Sequence, residues 1–407
     1  MKKPELLAPA GNLEKLKIAL TYGADAVFLG GKAYGLRAFS DNFTDDDVRE
    51  AVAYAHALGR RVYVTVNIIP HNEDLVGLPE YIRFLSEAGV DALIVSDPGI
   101  FSVARSVAPK LPLHISTQAN NTNWASAQFW QSQGAKRIVL ARELSLSEIR
   151  GIREKTQVEL EAFVHGAMCI SYSGRCLLSN YLTGRDANRG ECAQACRWKY
   201  SVVEETRPGQ YFPVLEDERG AYVFNSRDLC MLPHIGDLIA AGLDSFKIEG
   251  RMKSVHYVAT VVKVYREAID TYFADPSDFV ARPEWLTELA KISHRAYTTG
   301  FAFAKTTEAD QIYGDRTYHQ THDFVGLVHS YDPVSKTAIV EQRNNMKTGE
   351  EIEIMQPGQS NFQQIITRMT DVEGNEISVA PHAQQLVRMD VQQPVAPFSM
   401  LRRQVSP

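Results

Sequence analysis

Four of the chain's five cysteines fall in one short stretch, spaced Cys169-x6-Cys176-x15-Cys192-x3-Cys196, and Cys230 follows further on. Deprotonated thiols are soft anionic ligands, so four in one loop suit zinc or an iron–sulfur cluster. Structural zinc sites usually separate each cysteine pair by about two to four residues. Here the first pair is separated by six, which favours a cluster. On spacing alone, zinc and unliganded thiols stay open. Cys230, in Ser226-Arg227-Asp228-Leu229-Cys230-Met231, precedes a helical pattern and reads as a small buried apolar residue. Hydrolytic chemistry finds little support, because neither a G-x-S-x-G nor an H-E-x-x-H run is present. A Cys169–His165 dyad is conceivable, but a thiolate bound to iron is not a free nucleophile.

The elements that must position these residues announce themselves by a repeated turn. A helix ends at Gly, a small residue and an Asp follow, and a short apolar run begins. This occurs at Gly23-Ala24-Asp25, Gly89-Val90-Asp91 and Gly242-Leu243-Asp244, and without the Asp at Gly134-Ala135-Lys136. Glycine takes the left-handed conformation past a helix end, so each copy marks a helix-to-strand turn. The runs lack alternation, as strands buried on both faces do. Eight strands are predicted, near 5–8, 26–30, 61–68, 92–96, 113–118, 137–141, 160–165 and 245–249. Helical patterns fill the gaps at 13–22, 45–58, 78–88, 100–108, 124–132, 146–155, 232–241 and 254–273, and Thr44 with Asp47 forms a capping-box signature. Eight alternations point to an α/β fold, a (β/α)8 TIM-like barrel rather than an open doubly wound sheet.

One connection is too long. About sixty residues separate the seventh strand from its helix, where roughly two to six are usual. All five cysteines lie in or beside that insertion, about 167–230. In such barrels the loops after the strands build the functional face. The insertion is therefore predicted to cover the mouth. The barrel with its insertion is assigned to 1–275 and a helical connector, including a helix over 284–295, to 276–318. A small antiparallel β-barrel is assigned to 319–407, with β segments at 324–329, 337–343, 351–354, 364–369 and 385–389.

Asn67, Gln118, Asn120 and His165 then end the third, fifth and seventh strands. Side-chain amides there are able to read the edge of an extruded base, and each is equally able to be a satisfied structural polar residue. Lys247 and Glu249 alternate along the eighth strand and point inward, where an internal salt-bridge network would account for them. Arg251 ends that strand, and Arg175 and Arg197 each adjoin a cysteine.

The chain of 407 residues carries a formal charge of −6, with 44% hydrophobic and 23% charged residues, which is ordinary for a globular protein and argues against non-specific coating of nucleic acid. No apolar run approaches the ~20 residues of a membrane span, and the N-terminus reads as the start of a strand and not as a signal peptide. A cytoplasmic, membrane-free protein is expected.

Beyond these patterns, the segment Glu161 to Ser179 (EAFVHGAMCISYSGRCLLS) resembles the signature of the U32 peptidase family. Gly190-Glu191-Cys192-Ala193-Gln194-Ala195-Cys196-Arg197-Trp198 does too, as do Lys247-Ile248-Glu249-Gly250-Arg251, Leu7-Ala8-Pro9-Ala10-Gly11 and Ser116-Thr117-Gln118-Ala119-Asn120. The layout is similar to that of the branch containing prephenate-dependent tRNA uridine-34 hydroxylases. That resemblance implies a [4Fe–4S] cluster on Cys169, Cys176, Cys192 and Cys196, prephenate as cosubstrate, an electron donor of unknown identity, and C5 hydroxylation of the wobble uridine in a tRNA anticodon loop. The alternatives within the family are an rRNA cytidine hydroxylase and a peptidase. On this reading His165, Arg175, Arg197, Glu249 and Arg251 are the catalytic candidates. The three arginines are also the first choices for pairing with prephenate carboxylates, against a plain role in neutralising the cluster or pairing with Glu249. Asn67, Gln118, Asn120 and Lys247 are the substrate-binding candidates. Arg185, Arg189 and Lys199, interleaved with Tyr172, Tyr181, Trp198 and Tyr200, suit phosphates and splayed bases, as well as an ordinary solvated loop. Arg402-Arg403 is the only adjacent basic pair with which the C-terminal module would clamp an RNA stem.

Overall fold

The computed structural model describes residues 2–35, 42–168, 178–185, 187, 191–195, 227–304 and 318–405, together with short backbone pairings between 202 and 221. Eight parallel strands alternate with helices: β1 (Glu5–Pro9), α1 (Leu13–Thr21), β2 (Ala26–Gly30), α2 (Asp45–Ala57), β3 (Arg61–Val66), α3 (Leu78–Glu87), β4 (Ala92–Val95), α4 (Pro98–Val107), β5 (Leu113–Ile115), α5 (Trp124–Ser132), β6 (Arg137–Val139), α6 (Leu146–Lys155), β7 (Glu159–Ala167), α7 (Ile235–Ala240), β8 (Ser245–Ile248) and α8 (Val255–Ala274). Strand β8 pairs in parallel with both β7 and β1, which closes the barrel. The open-sheet alternative is thereby excluded.

The repeated Gly-x-Asp turn explains itself in the structure. Gly23, Gly89 and Gly242 hold φ of 111°, 82° and 83°, and the Asp two residues later caps a neighbouring strand. Asp25 accepts from Leu6 N at 2.9 Å, Asp91 from Val62 N at 2.8 Å and Asp244 from Leu160 N at 2.9 Å. Each carboxylate satisfies the N–H of a strand's second residue, which would otherwise be buried without a partner. The Thr44–Asp47 capping box is likewise present.

The core divides by strand face. Val62, Val64 and Val66 of β3 and Leu160, Ala162 and Val164 of β7 join the layer between strands and helices. Leu7, Ala26, Phe28, Tyr63, Ala92 and Ile94 fill the barrel itself. Some predicted elements are shorter. The helix predicted over 284–295 stops as Pro283–Leu289, because His294 bridges to His319 and Arg295 turns inward to pair with Asp228 at 2.7 Å. The predicted helix 232–241 begins as a 3-10 turn, Leu232–His234, with Pro233 in its first turn.

Between β7 and α7 the chain leaves the barrel after Ala167 and returns at a short strand, Asp228–Cys230, antiparallel to the end of β7. Ala167 pairs with Asp228, and the Asp228–Arg295 ion pair pins the return, so both ends of the excursion are fixed at one place.

The C-terminal module is a curled antiparallel sheet of eight strands rather than a sealed barrel. Its edges, Phe362–Ile365 and Glu376–Ile377, are not paired to each other. The Gln364 side chain spans the seam, donating to Asp390 O at 3.0 Å and accepting from Gln392 N at 3.0 Å. One central strand, Met400–Gln404, escapes the sequence pattern because it carries two arginines. Arg402 is fully buried there, paired with Glu288 of the connector helix and with Glu353 at 2.8 Å. It is a structural cation and not half of an RNA clamp. Tyr22 of the barrel donates to Met355 O and Phe398 O at 3.1 and 3.0 Å, which docks the module on the barrel's outer wall.

Candidate active site at the barrel mouth

Below the mouth, inward positions of β1, β6, β7 and β8 form a buried ionic floor. Arg137 pairs with Glu5 at 2.5 Å, Glu161 at 3.0 Å and Glu159 at 2.8 Å. Lys247 Nζ donates to Glu161 at 2.9 Å and lies 4.4 Å from the Phe28 ring centroid. Burial alone would raise the Glu161 carboxyl, but Lys247 and Arg137 hold it below the usual range. Lys247 is thus a member of an internal network, 4% exposed, beneath the place where a substrate would enter.

The mouth begins one layer higher. Alternation along β3 carries Tyr63 and Thr65 inward, and Asn67 continues that face past the strand end. Asn67 Nδ2 donates to Gln118 Oε1 at 2.7 Å, joining the loops after β3 and β5. Asn67 Oδ1 is buried and has no hydrogen-bond partner among the described residues. Asn120 takes the left-handed conformation, φ 52°, and returns its Nδ2 to Gln118 O at 3.1 Å, which stiffens the loop. Three of the four substrate-binding candidates are therefore brought together.

On the adjoining wall, after β6, stands a residue that strand-end reasoning missed. Arg142 lies over the Phe163 ring at 3.9 Å, donates to Ala167 O at 3.2 Å and pairs with Glu249 at 3.5 Å. Its neighbour Glu143 is half-buried, and burial lifts its carboxyl above the ordinary range. The available signal was an Arg-Glu pair immediately after an apolar strand, at a position where barrels place their functional groups.

Arg251 reaches across to Asn42 in the loop after β2 and lies so close to Gly30 that a Cβ there would collide with the guanidinium. It is 5% exposed and ties β8 to that loop. His165 goes elsewhere. The β7–β8 register shifts after Phe163–Lys247, and the imidazole turns among Tyr257, Tyr265 and Tyr297, with ring centroids 5.9, 5.5 and 5.5 Å away. Burial pushes its pKa down to about 3, so the ring is neutral. Gly166, at φ 108°, allows this departure, since a Cβ would meet Glu249 O at 2.6 Å.

Of the cysteines, Cys192 is half-buried, and its Sγ accepts from Gln194 N at 3.4 Å. Amide-to-sulfur bonds of this kind stabilise thiolate ligands. Ala193 N donates to Ser179 Oγ at 2.9 Å, and Ser179 is three residues beyond Cys176 in sequence. That bond draws the stretch following Cys176 beside the stretch following Cys192. Cys169, Cys176 and Cys196, with Arg175 and Arg197, lie outside the described residues, as do Tyr172, Arg189, Trp198, Lys199 and Tyr200. Cys230 is buried at the return strand, and burial pushes its thiol up to about 11.

A closed parallel barrel with its polar groups gathered at the strand C-termini, a long excursion that leaves and rejoins the end of β7 and an appended β module define a (β/α)8-barrel protein whose site is the mouth. Residues 11–312 match the model of peptidase family U32, residues 320–402 match the peptidase family U32 C-terminal domain, and the chain belongs to this family. It is 47% identical to tRNA hydroxylation protein P1 of Bacillus subtilis (strain 168), over 99% of this chain and 95% of that one. It is 39% identical to tRNA hydroxylation protein P of Escherichia coli (strain K12), over 94% and 92%. A third relative is the 23S rRNA 5-hydroxycytidine C2501 synthase of Escherichia coli (strain K12), 37% identical over 79% of this chain and 48% of that one. No helix among the described residues is long and apolar enough to cross a membrane.

Proposed function

We propose that this protein is a cytoplasmic tRNA hydroxylase acting at C5 of the wobble uridine, position 34, with prephenate as cosubstrate and a [4Fe–4S] cluster on Cys169, Cys176, Cys192 and Cys196. The observation that carries this reading is likeness along nearly the whole chain to relatives named for tRNA hydroxylation. The ribosomal cytidine relative is matched over less than half its own length, which favours tRNA as substrate.

Hydroxylating a uracil ring needs redox chemistry that amino-acid side chains lack, and a bound cluster supplies it. The donor set fits: four thiols in one excursion, of which Cys192 already accepts an amide hydrogen bond. Converting C5–H to C5–OH is a two-electron oxidation of the ring, so the reaction also needs an oxygen source and a two-electron acceptor, and an electron donor of unknown identity would serve only to reset the cluster. The protein's own groups position the substrates. The Asn67–Gln118 amide pair offers an acceptor and donors to the Watson–Crick edge of a base lowered into the mouth. Arg175, Arg197 and Arg251 are the candidates for the carboxylates of prephenate, and Arg142 joins them from the geometry of the mouth.

Nucleoside mass spectrometry of tRNA from cells lacking the gene, complemented with wild type or Cys176→Ala, tests the assignment. The 5-hydroxyuridine-derived nucleosides should fall in the deletion, return with wild type, and stay low with Cys176→Ala at equal protein level. Unchanged nucleosides in the deletion would sink the tRNA role. Zinc instead of iron and sulfide after anaerobic purification would sink the cluster.

A further inference from the structure

Most barrel side chains that are both large and apolar are buried; of the exposed exceptions, Leu58 and Phe129 lie on or at the end of helices, and four others lie in segments that follow strands. Ile69 (40% exposed) and Val76 (80%) lie in the loop after β3, Trp124 (48%) opens α5, and Met252 (56%) follows Arg251 beyond β8. All four belong to segments that leave the C-terminal ends of the strands, so they share the mouth face. Isolated exposed apolar residues need no explanation, but a set collected around one opening does.

Trp124 is the most informative of them. Trp130, two turns further along the same helix, is only 8% exposed. The Asn123 side chain caps α5 by accepting from Ser126 N at 2.9 Å, so the helix start that carries Trp124 is fixed. Six residues earlier in the same loop stands Gln118, bonded to Asn67. A single stiff turn therefore runs from the inner amide pair to an exposed indole at the outer edge. Lys32, exposed in the segment after β2, adds positive charge to the same face.

We propose that Trp124, with Ile69 and Met252, forms a stacking rim on which the unpaired nucleotides flanking the target base of an RNA loop rest. This inference rests on the RNA reading above and extends it to residues outside the mouth. Unpaired bases present π-faces to any aromatic or apolar platform without regard to sequence, whereas a duplex keeps those faces occupied. An indole held on a capped helix loses little freedom on stacking, so the rim is ready before RNA arrives.

The test is a fluorescence and binding titration of the full-length protein with a short stem-loop RNA bearing a seven-nucleotide loop, against a fully paired duplex of equal length. Trp124→Ala should weaken stem-loop binding by roughly 5- to 100-fold, since a lost base–aromatic stack has about that effect. Trp124→Phe should retain most of the affinity while losing part of the quench in tryptophan emission on binding. Leu58→Ala, at the exposed end of α2 on the opposite face, should bind like wild type. Thermal melts of all variants should match, because Trp124 is half-exposed. Wild-type affinity in Trp124→Ala, or equal affinity for duplex and stem-loop, would overturn the rim and leave the tRNA reading standing. No binding of any stem-loop by wild type would remove both.

Discussion

Asn67 and Gln118 meet at the barrel mouth above β4, with Asn67 Nδ2 donating to Gln118 Oε1 at 2.7 Å. That bond fixes the polarity of the pair. Asn67 must present its buried Oδ1 as an acceptor, and Gln118 must present its Nε2 as a donor. An acceptor beside a donor matches the N3–H and carbonyl of a uracil edge. Replacing Gln118 with Ala removes the Nε2 donor and leaves Asn67 Nδ2 with Ser116 Oγ at 3.4 Å, and a polar group of the base left unmet in the mouth costs about 1–3 kcal/mol of binding. Gln118→Ala is therefore expected to lower kcat/KM for RNA by roughly 10- to 100-fold with an unaltered melting curve. Activity within twofold of wild type would remove the pair from base recognition.

The second prediction concerns metal content. Cys192→Ser should lose most iron and sulfide, whereas Cys230→Ser should keep both, since the Cys230 thiol is buried at the return strand and held protonated. Iron and sulfide assays after anaerobic purification decide it, and equal losses in both variants would contradict the ligand set.

Module docking is the third. Arg402 is fully buried between Glu288 and Glu353, so Arg402→Met leaves two carboxylates facing an apolar side chain. Breaking one partner of a buried pair costs about 3–5 kcal/mol. The Glu288 carboxyl, although burial raises it, is drawn down to about 2 by Arg402 and Lys291. A carboxylate whose folded pKa lies below its unfolded one stabilises fully above the unfolded value, near 4.5, and that stability is lost as pH falls toward 2. From the shift, this amounts to about 3 kcal/mol. Urea unfolding between pH 7 and pH 3 should show about 2 kcal/mol of that loss in wild type and a shallower decline in Glu288→Gln. Parallel curves would refute the coupling.

Gly30 offers a steric test of Arg251. A methyl at Gly30 would displace the guanidinium from Asn42 and release the loop after β2. Gly30→Ala should therefore impair modification and lower Tm by several degrees. If Arg251 serves only to hold this loop, Asn42→Ala should reproduce the defect. An effect of Gly30→Ala without one in Asn42→Ala would assign Arg251 a separate role.

His165 gives the fifth. Held neutral down to about pH 3 by burial among tyrosines, it contributes no ionisation to a pH–rate profile between 5 and 8. The unfolded chain takes up its proton near 6.5, so stability should decline as pH drops below that value, and His165→Asn should decline less. A kinetic limb near pH 6 that disappears in His165→Asn would return this residue to proton transfer.

The barrel was legible because its rules are local. Gly23, Gly89 and Gly242 mark turns by conformation, and the Asp that follows caps a strand through bonds of fixed geometry. The uniformly apolar runs announce burial on both faces. The excursion was legible as a length, and its cysteines as a ligand type. The amides at Asn67, Gln118 and Asn120 were found because they end strands, and strand ends in a closed barrel converge.

Other features depend on which residues the closed fold sets opposite one another. Met400–Gln404 reads as too polar for a core strand until Glu288, more than a hundred positions away, is seen to neutralise Arg402. Arg142 is one arginine among many until Phe163, Ala167 and Glu249 surround it. His165 continues an inward alternation until the register shift beside Gly166 turns it out among tyrosines. A sequence specifies periodicity, turns and ligand types, since these follow from neighbouring backbone and side-chain chemistry. Partnerships between charges and the facing of a strand after a bulge are decided by long-range packing, because only the closed fold sets which groups share a low-dielectric interior.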